Sequence, residues 1–287
     1  CIVMLERSIM RYQTLMHDLL FKETFADPHN RRQLEFFLEQ ILGYETGYLH
    51  NKLDVSYESP IKKNKLKDKS IRGDIIIKFE DVVVNMEAFT NFNGSSIDKS
   101  IYYIMRIHAS KLKVGEDYHE LGKTIQINFV ENAHLGLGDE LVYDFHLACD
   151  AIPEVKLLEK SFCVKIVQID KARELGYTNN ILDKWLKFIA ANGSSERDSV
   201  AKGDVLLMEL NEWIKKYVAD DETQAELNKW DIEIATNKGI EQGIEQGKAE
   251  RNIEIAKELL KMKLNDEDIT KATGLTSNEI MQLKEDK

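Results

Sequence analysis

Proline and cysteine are both scarce, with three of each in 287 residues. Cys1, Cys149 and Cys163 form no CxxC pair and leave an odd thiol, so no disulfide framework is expected and a reducing, cytoplasmic setting fits. The seven histidines include no HExxH and no zinc-type spacing with cysteine. Neither GxxxxGK[ST] nor GxGxxG occurs, which removes the two commonest phosphate-cradling loops. No apolar run approaches the ~20 residues of a membrane span. The first residues, "CIVMLERSIMRYQ", carry acid and base early and no small-residue cleavage site, so a signal peptide is not expected. Net positive charge is lacking too. At −11, the chain is not coated with basic surface for nucleic acid, although a local basic patch needs only one face.

What is present is a helix-rich globular composition, 43% hydrophobic and 31% charged. Helical periodicity predicts a helix over residues 5–26, carrying Leu15, Leu19, Leu20 and Phe25, and a second in "RRQLEFFLEQILGY". Strands are expected in "YLHNKLDVSYES", "GDIIIKF", "VVVNMEAF", "KTIQINFVE", "LVYDFHLACD" and "FCVKIVQID", with a helix in "SIDKSIYYIMRIHASKLKVG" ending at Gly115. From about Thr178 the pattern turns helical. Boundaries are placed near residues 177 and 238, giving a core of 1–177, a helical extension of 178–238 and a C-terminal segment of 239–287. Trp185, Trp213 and Trp230 sit at helical spacing with Leu and Ile and are expected to pack in cores rather than stack on bases.

Two acids carry the candidate chemistry. In "RGDIIIKFEDVVVNMEAF", Glu80 and Asp81 form a tight turn. A two-residue loop pairs Phe79 with Val82, Ile77 with Val84, Ile75 with Met86 and Asp74 with Glu87. One face is then Ile75, Ile77, Phe79, Val82, Val84, Met86 and Ala88, which must be core. Asp74 and Glu87 fall on the other. Opposed side chains have Cβ atoms about 4.5–5.5 Å apart, so like charges there repel unless a cation sits between them. Mg²⁺, which takes hard oxygen ligands, would serve. A three-residue loop would shift the register and leave both acids facing solvent. Just upstream, Lys62, Lys63, Lys65, Lys67, Lys69 and Arg72 stand against one acid, Asp68; the patch suits phosphate contact or a solvated loop.

The ordered set of segments resembles the PD-(D/E)XK nuclease family transposases, including the recombination-promoting nucleases. It spans "HDLLFKETFADP" with Asp18, Phe21 and Lys22, then Asp74 and Glu87. Next come "SIYYIMRIHASKLKVGEDYHELGKTIQINFV" with Tyr102, Gly115, Tyr118 and Ile127, and then "KIVQIDKAREL", "LDKWLKFI" and "DETQAELNKWDIEI". "GIEQGIEQGKAERNIEIAKELLKMKLNDEDITKATGLTSNEI" resembles the family's C-terminal segment. The resemblance implies an α/β, restriction-endonuclease-like core with a small mixed sheet flanked by helices, followed by a helical C-terminal region. It also implies Mg²⁺- or Mn²⁺-dependent cleavage of DNA in transposition or recombination, and homo-oligomers. By it, Asp74, Glu87 and the carbonyl of Ala88 would bind metal. The family's third polar residue, Lys or Gln, is here Phe89, which has no polar atom. The polar role could have moved to Gln126, Lys99, Asn91 or Arg72, or the metal could act alone. Catalysis could instead be lost, leaving an oligomeric DNA- or protein-binding module. A polar residue on a sheet surface is the plainer account of Gln126, and surface acid and base are equal alternatives for Asp18 and Lys22.

Gly239, Gly243 and Gly247 recur every four residues, each costing a helix about 1 kcal/mol relative to Ala. Three on one stripe suggest close approach of another helix or a second copy; a frayed hinge is the alternative. Two short helices around Gly274, capped by Asp266 and by Thr276 or Ser277, resemble a helix-turn-helix. The segment carries more acid than base, which favours association over DNA reading.

Overall fold

The computed structural model describes residues 14–61, 71–112, 114–133, 136–157 and 161–285. The chain divides into two compact units, Cys1–Thr223 and Gln224–Lys287. Among the described residues no helix is long and apolar enough to cross a membrane.

The first unit is built on a six-stranded mixed sheet. Its strands are β1 (Asp54–Ile61), β2 (Ile71–Phe79), β3 (Val82–Phe89), β4 (Thr124–Val130), β5 (Val142–Phe145) and β8 (Phe162–Gln168), in spatial order β1-β2-β3-β4-β8-β5. A separate two-stranded ribbon pairs β6 (Leu147–Cys149) with β7 (Ile152–Leu157). β1, β2 and β3 run antiparallel to one another, whereas β3, β4 and β8 are parallel. Parallel neighbours need a crossover. Between β3 and β4 it contains helix α3 (Gly94–Ala109), with α1 (Asp18–Ala26) and α2 (Arg31–Leu42) earlier in the chain.

The β2–β3 turn adopts the two-residue register, Phe79 opposite Val82 and Ile75 opposite Met86. Glu80 takes the left-handed φ of 50° that the tight turn requires. The hydrocarbon face of the hairpin joins the main core, where Ile75, Ile77, Val84 and Met86 are fully buried with Ile127 and Phe129 of β4. Phe21 and Phe25 of α1 and Phe37 of α2 complete an aromatic cluster around Phe129. The opposite face is covered by α3, with Ile107 and Tyr103 packing on Ile76 and Val83. The acids therefore lie on the face roofed by α3.

Three helix boundaries differ from the sequence pattern. α1 begins at Asp18, because the His17 side chain accepts from the Leu20 amide and caps it; residues 1–13 lie outside the described ones. α3 stops at Ala109 rather than at Gly115, its last carbonyls taken by the Ser110 N–H. "VAKGDVLLMELNEWIKKYV" is two helices, α6 (Ser194–Ala201) and α7 (Val205–Ala219), following α4 (Ile169–Glu174) and α5 (Ile181–Ala190). Gly203 at φ 77° breaks the run, and Asp204 caps α7 by accepting from Leu207. Trp185 is fully buried; Trp213 is half-buried against the same core.

The helix α8 (Asp221–Lys261) runs unbroken for 41 residues through all three glycines. In the second unit, α9 (Asp266–Thr273) and α10 (Ser277–Glu285) close on a small core of Ala256, Ile269 and Ile280. Asn265, not Asp266, caps α9, since its side chain accepts from Asp268. Thr276 caps α10 and is itself bound by Glu279.

Candidate active site

The hairpin ladder ends just short of the two acids. Beyond Met86, β3 continues its pairing with β4, so that Glu87 stands opposite Asn128 and Phe89 opposite Val130. Asp74 and Glu87 are instead joined through backbone amides. The Asp74 N–H donates to Glu87 Oε1 at 3.1 Å, and the Ala88 N–H donates to Asp74 Oδ2 at 3.3 Å. The Glu87 side chain is 1% exposed and the Asp74 side chain 13%.

Each acid draws a lysine from a different helix. Lys22 of α1 lies 3.4 Å from Asp74 Oδ1 and also donates to Asp18 Oδ2 at 2.8 Å. Lys99 of α3 donates to Glu87 Oε2 at 2.9 Å. The same ammonium stands 4.9 Å from the centre of the Phe89 ring and 5.0 Å from that of Tyr103. Rings hold a cation over their faces by quadrupole attraction, so Phe89 helps to place a positive group that it does not carry. Phe89 itself packs with Phe92, Val130 and Ile166.

The charges do not balance evenly. Burial, the Glu87 charge and the Asp18 charge push the Asp74 carboxyl up to about 8, against the opposing pull of Lys22 and Lys99. Burial would lower the Lys99 ammonium, but Glu87 and Asp74 outweigh it and hold it above its usual value.

Behind Glu87 runs a row of buried amides. The Asn85 side chain donates to Glu87 Oε1 at 3.2 Å and to Gln126 Oε1 at 2.8 Å. Gln126 Nε2 donates to Asn128 Oδ1 at 2.8 Å, which also accepts from Ser100 Oγ at 3.1 Å. Asn85, Gln126 and Asn128 are all fully buried. Among the described residues Gln126 thus reaches the acids only through Asn85. Gly73 makes room for this row: a Cβ there would stand 2.5 Å from Asn85 Oδ1.

Of the other sequence candidates, Asn91 is exposed in the turn after β3. Arg72 lies in β2 opposite Pro60 of β1, outside the β2–β3 pairs. Lys62, Lys63, Lys65, Lys67 and Lys69 lie outside the described residues. Asn85, Asn128, Ser100 and Tyr103 join the site without having been singled out. The signal for Asn85 and Asn128 was alternation, since Asn85 with Glu87 and Gln126 with Asn128 put polar side chains on one face of two neighbouring strands.

The donor set fits a hard divalent cation. Two carboxylates from adjacent strands each accept a backbone amide of the other's strand, and the pair already attracts two ammonium groups. Asp74 and Glu87 would hold such an ion.

No curated protein and no solved structure matches the chain. The model of one family, the PD-(D/E)XK nuclease family transposases, matches residues 15–228, which takes in the whole sheet and every group around the two acids. The chain belongs to the PD-(D/E)XK nuclease family transposases.

Proposed function

We propose that the chain is a divalent-cation-dependent DNA endonuclease that adds water across phosphodiester bonds during transposition or recombination. The observation that carries this is the buried Asp74–Glu87 pair, bridged through backbone amides and flanked by Lys22 and Lys99. Mg²⁺ or Mn²⁺, held by Asp74, Glu87 and the Ala88 carbonyl, would polarise the scissile phosphate and lower the pKa of the attacking water. Lys99 supplies the polar group that Phe89 lacks. Its ammonium, over the Phe89 ring, is available to a phosphate oxygen and to the charge that builds on it. Asn85 fixes the Glu87 carboxylate, with Gln126 behind it as a positioning residue.

The test is plasmid relaxation by the purified chain with Mg²⁺, with Mn²⁺ and with chelator. Nicking that requires the cation is expected. Lys99→Met should slow it about 100-fold, the lower end of what removal of one charge-stabilising donor costs. The second reading, a non-cleaving oligomeric DNA- or protein-binding module, rests on Phe89. It becomes the answer if neither cation supports nicking while DNA is still bound.

The segment carrying Lys62, Lys63, Lys65, Lys67 and Lys69 is assigned to phosphate contact on its charge alone. Reversing charge at Lys63, Lys65 and Lys67 should weaken DNA binding. It should also flatten the slope of log affinity against log salt by about 0.9 for each phosphate no longer neutralised. An unchanged slope removes this role from the segment.

The C-terminal segment is assigned to self-association. Among the described residues nothing lies within 4 Å of where a Cβ would stand on Gly239, Gly243 or Gly247, which leaves the stripe free for a second copy. Truncation after Asn237 should lower the number of chains per particle in light scattering; an unchanged number removes this role.

A further inference from the structure

We propose a second metal site, for zinc, at the edge of the sheet on the face opposite the two acids. It consists of Asp144, His146 and Cys163, whose potential ligand atoms all lie within 4.8 Å of one another.

The topology makes the cluster. β5 is the edge strand and runs antiparallel to β8, with Asp144 opposite Lys165 and Phe145 opposite Val164. Continued one step, that register sets His146 opposite Cys163. Residues two apart on an extended strand point to the same side, so Asp144 and His146 face the side that Cys163 and Lys165 occupy on β8. Cys163 pairs with Ile125 and Lys165 with Ile127, which belong to the main core face. The nuclease acids lie with Gln126 and Asn128 on the other face. The two sites therefore share neither residues nor a face of the sheet.

The ligand chemistry points to zinc rather than to the cation of the first site. Thiolate, imidazole and carboxylate are the three donors that Zn²⁺ takes from proteins, while a sulfur ligand is unsuited to Mg²⁺. Cys163 Sγ and His146 Nε2 are 3.9 Å apart, close to what two ligands of one small ion need. The other nitrogen, His146 Nδ1, is buried without a hydrogen-bond partner among the described residues, so the ring is held through Nε2 at Cys163. Asp144 already has its outer support: Lys165 Nζ donates to both carboxylate oxygens at 2.7 Å. On binding, one oxygen would turn to the ion and the other would keep Lys165, as ligating carboxylates usually do. The Cys163 thiol would lose its proton to solvent. Three protein ligands leave a fourth position for water. Such an ion would clamp the four-residue β5 to β8, giving the edge strand a fixing point beyond its single ladder.

Cobalt substitution tests the site. The full chain, stripped with chelator and dialysed, is titrated with Co²⁺ and then with Zn²⁺. One equivalent of Co²⁺ should give an intense near-ultraviolet sulfur-to-cobalt band, which Zn²⁺ then removes. Cys163→Ser should abolish the band, and His146→Ala should weaken binding by at least about 100-fold, more than is typical for an outer-shell partner. Cys149→Ser and Glu87→Gln should leave the band in place, the latter separating this site from the nuclease pair. No band, or a band that survives Cys163→Ser, overturns the proposal. Should Cys163→Ser fail to fold, Asp144→Asn and His146→Gln on the exposed edge carry the same test. If zinc then raises the melting temperature of wild type and both variants equally, the site is refuted.

Discussion

Asp74→Asn and Glu87→Gln are each expected to lower cation-dependent nicking by about 1000-fold. A bound metal supplies several kcal/mol of charge stabilisation to the reacting phosphate, and each 1.36 kcal/mol is tenfold in rate. Loss of about 4 kcal/mol gives that factor. Amides are the right substitutions here because they keep the size and an accepting oxygen. In Asp74→Asn the Ala88 N–H still has an oxygen to meet, and in Glu87→Gln so does the Asp74 N–H. Lys22 keeps Asp18 as its partner in the first variant. The fold should therefore survive, which circular dichroism would check, and the drop in rate would report on chemistry. Supercoiled plasmid, initial rates with Mg²⁺ and with Mn²⁺, and identical purification of all three proteins make the measurement. Variants that nick as fast as wild type would trace the cleavage to a contaminant and remove both residues from the site.

The sequence was most informative where a short turn fixed a register. A two-residue loop at Glu80 and Asp81 determines every pair back to Ile75 and Met86, and these form as expected. The alternation of Ile125, Ile127 and Phe129 with Gln126 and Asn128 likewise assigned both faces of β4 correctly. The last pair was not so determined. Asp74 and Glu87 were expected to face one another across a continuing ladder, but the ladder ends at Ile75 and Met86, and the acids reach each other's backbone instead. Where a ladder ends depends on what each strand pairs with on its other side, and no local pattern contains that. The place of Lys99 was hidden for a related reason. Its helix is apolar on the side that meets Ile76 and Val83, but where Lys99 ends up depends on how α3 settles on the sheet. Only tertiary packing, including the hydrogen bond from Ser100 to Asn128, sets that rotation. The alternative of a lysine on β3 beside Glu87 was absent from the sequence, and the helix above supplies the charge. At the C-terminus, the three glycines suggested close approach of another helix or a second copy, with a frayed hinge as the alternative; α8 continues through them unbroken. Three costs of about 1 kcal/mol are small beside the hydrogen bonds and packing of 41 residues.

Asp74→Asn should also raise the melting temperature of the metal-free protein, and by more at pH 8 than at pH 5. The folded protein holds the Asp74 carboxyl at about 8, chiefly through burial and then through Glu87. In the unfolded chain the same group titrates near ~3.9. An acid whose pKa is raised by folding resists ionisation in the native state. The resulting cost is absent below the unfolded value, grows as pH rises from about 4, and levels off above about 8. An amide never ionises and escapes it. For a chain of this size each kcal/mol recovered is worth about 2–4 °C, so a rise of several degrees at pH 8 should fade towards zero near pH 4. Lys22 and Lys99 oppose the effect, which keeps it below what burial and the neighbouring carboxylates of Glu87 and Asp18 would give without them. A divalent cation should reverse the ranking. Binding only the folded state stabilises it by RT ln(1 + [L]/Kd), about 2.7 kcal/mol at a hundredfold excess over Kd. Wild type should gain that much from Mg²⁺ or Mn²⁺, and the variant far less. Scanning calorimetry of both proteins with chelator and with each cation, at pH 5 and pH 8, measures all of this. A metal-free Asp74→Asn that melts below wild type at pH 8 would show that Lys22 and Lys99 already neutralise the pair. A wild type indifferent to both cations would show that the two carboxylates do not hold one between them.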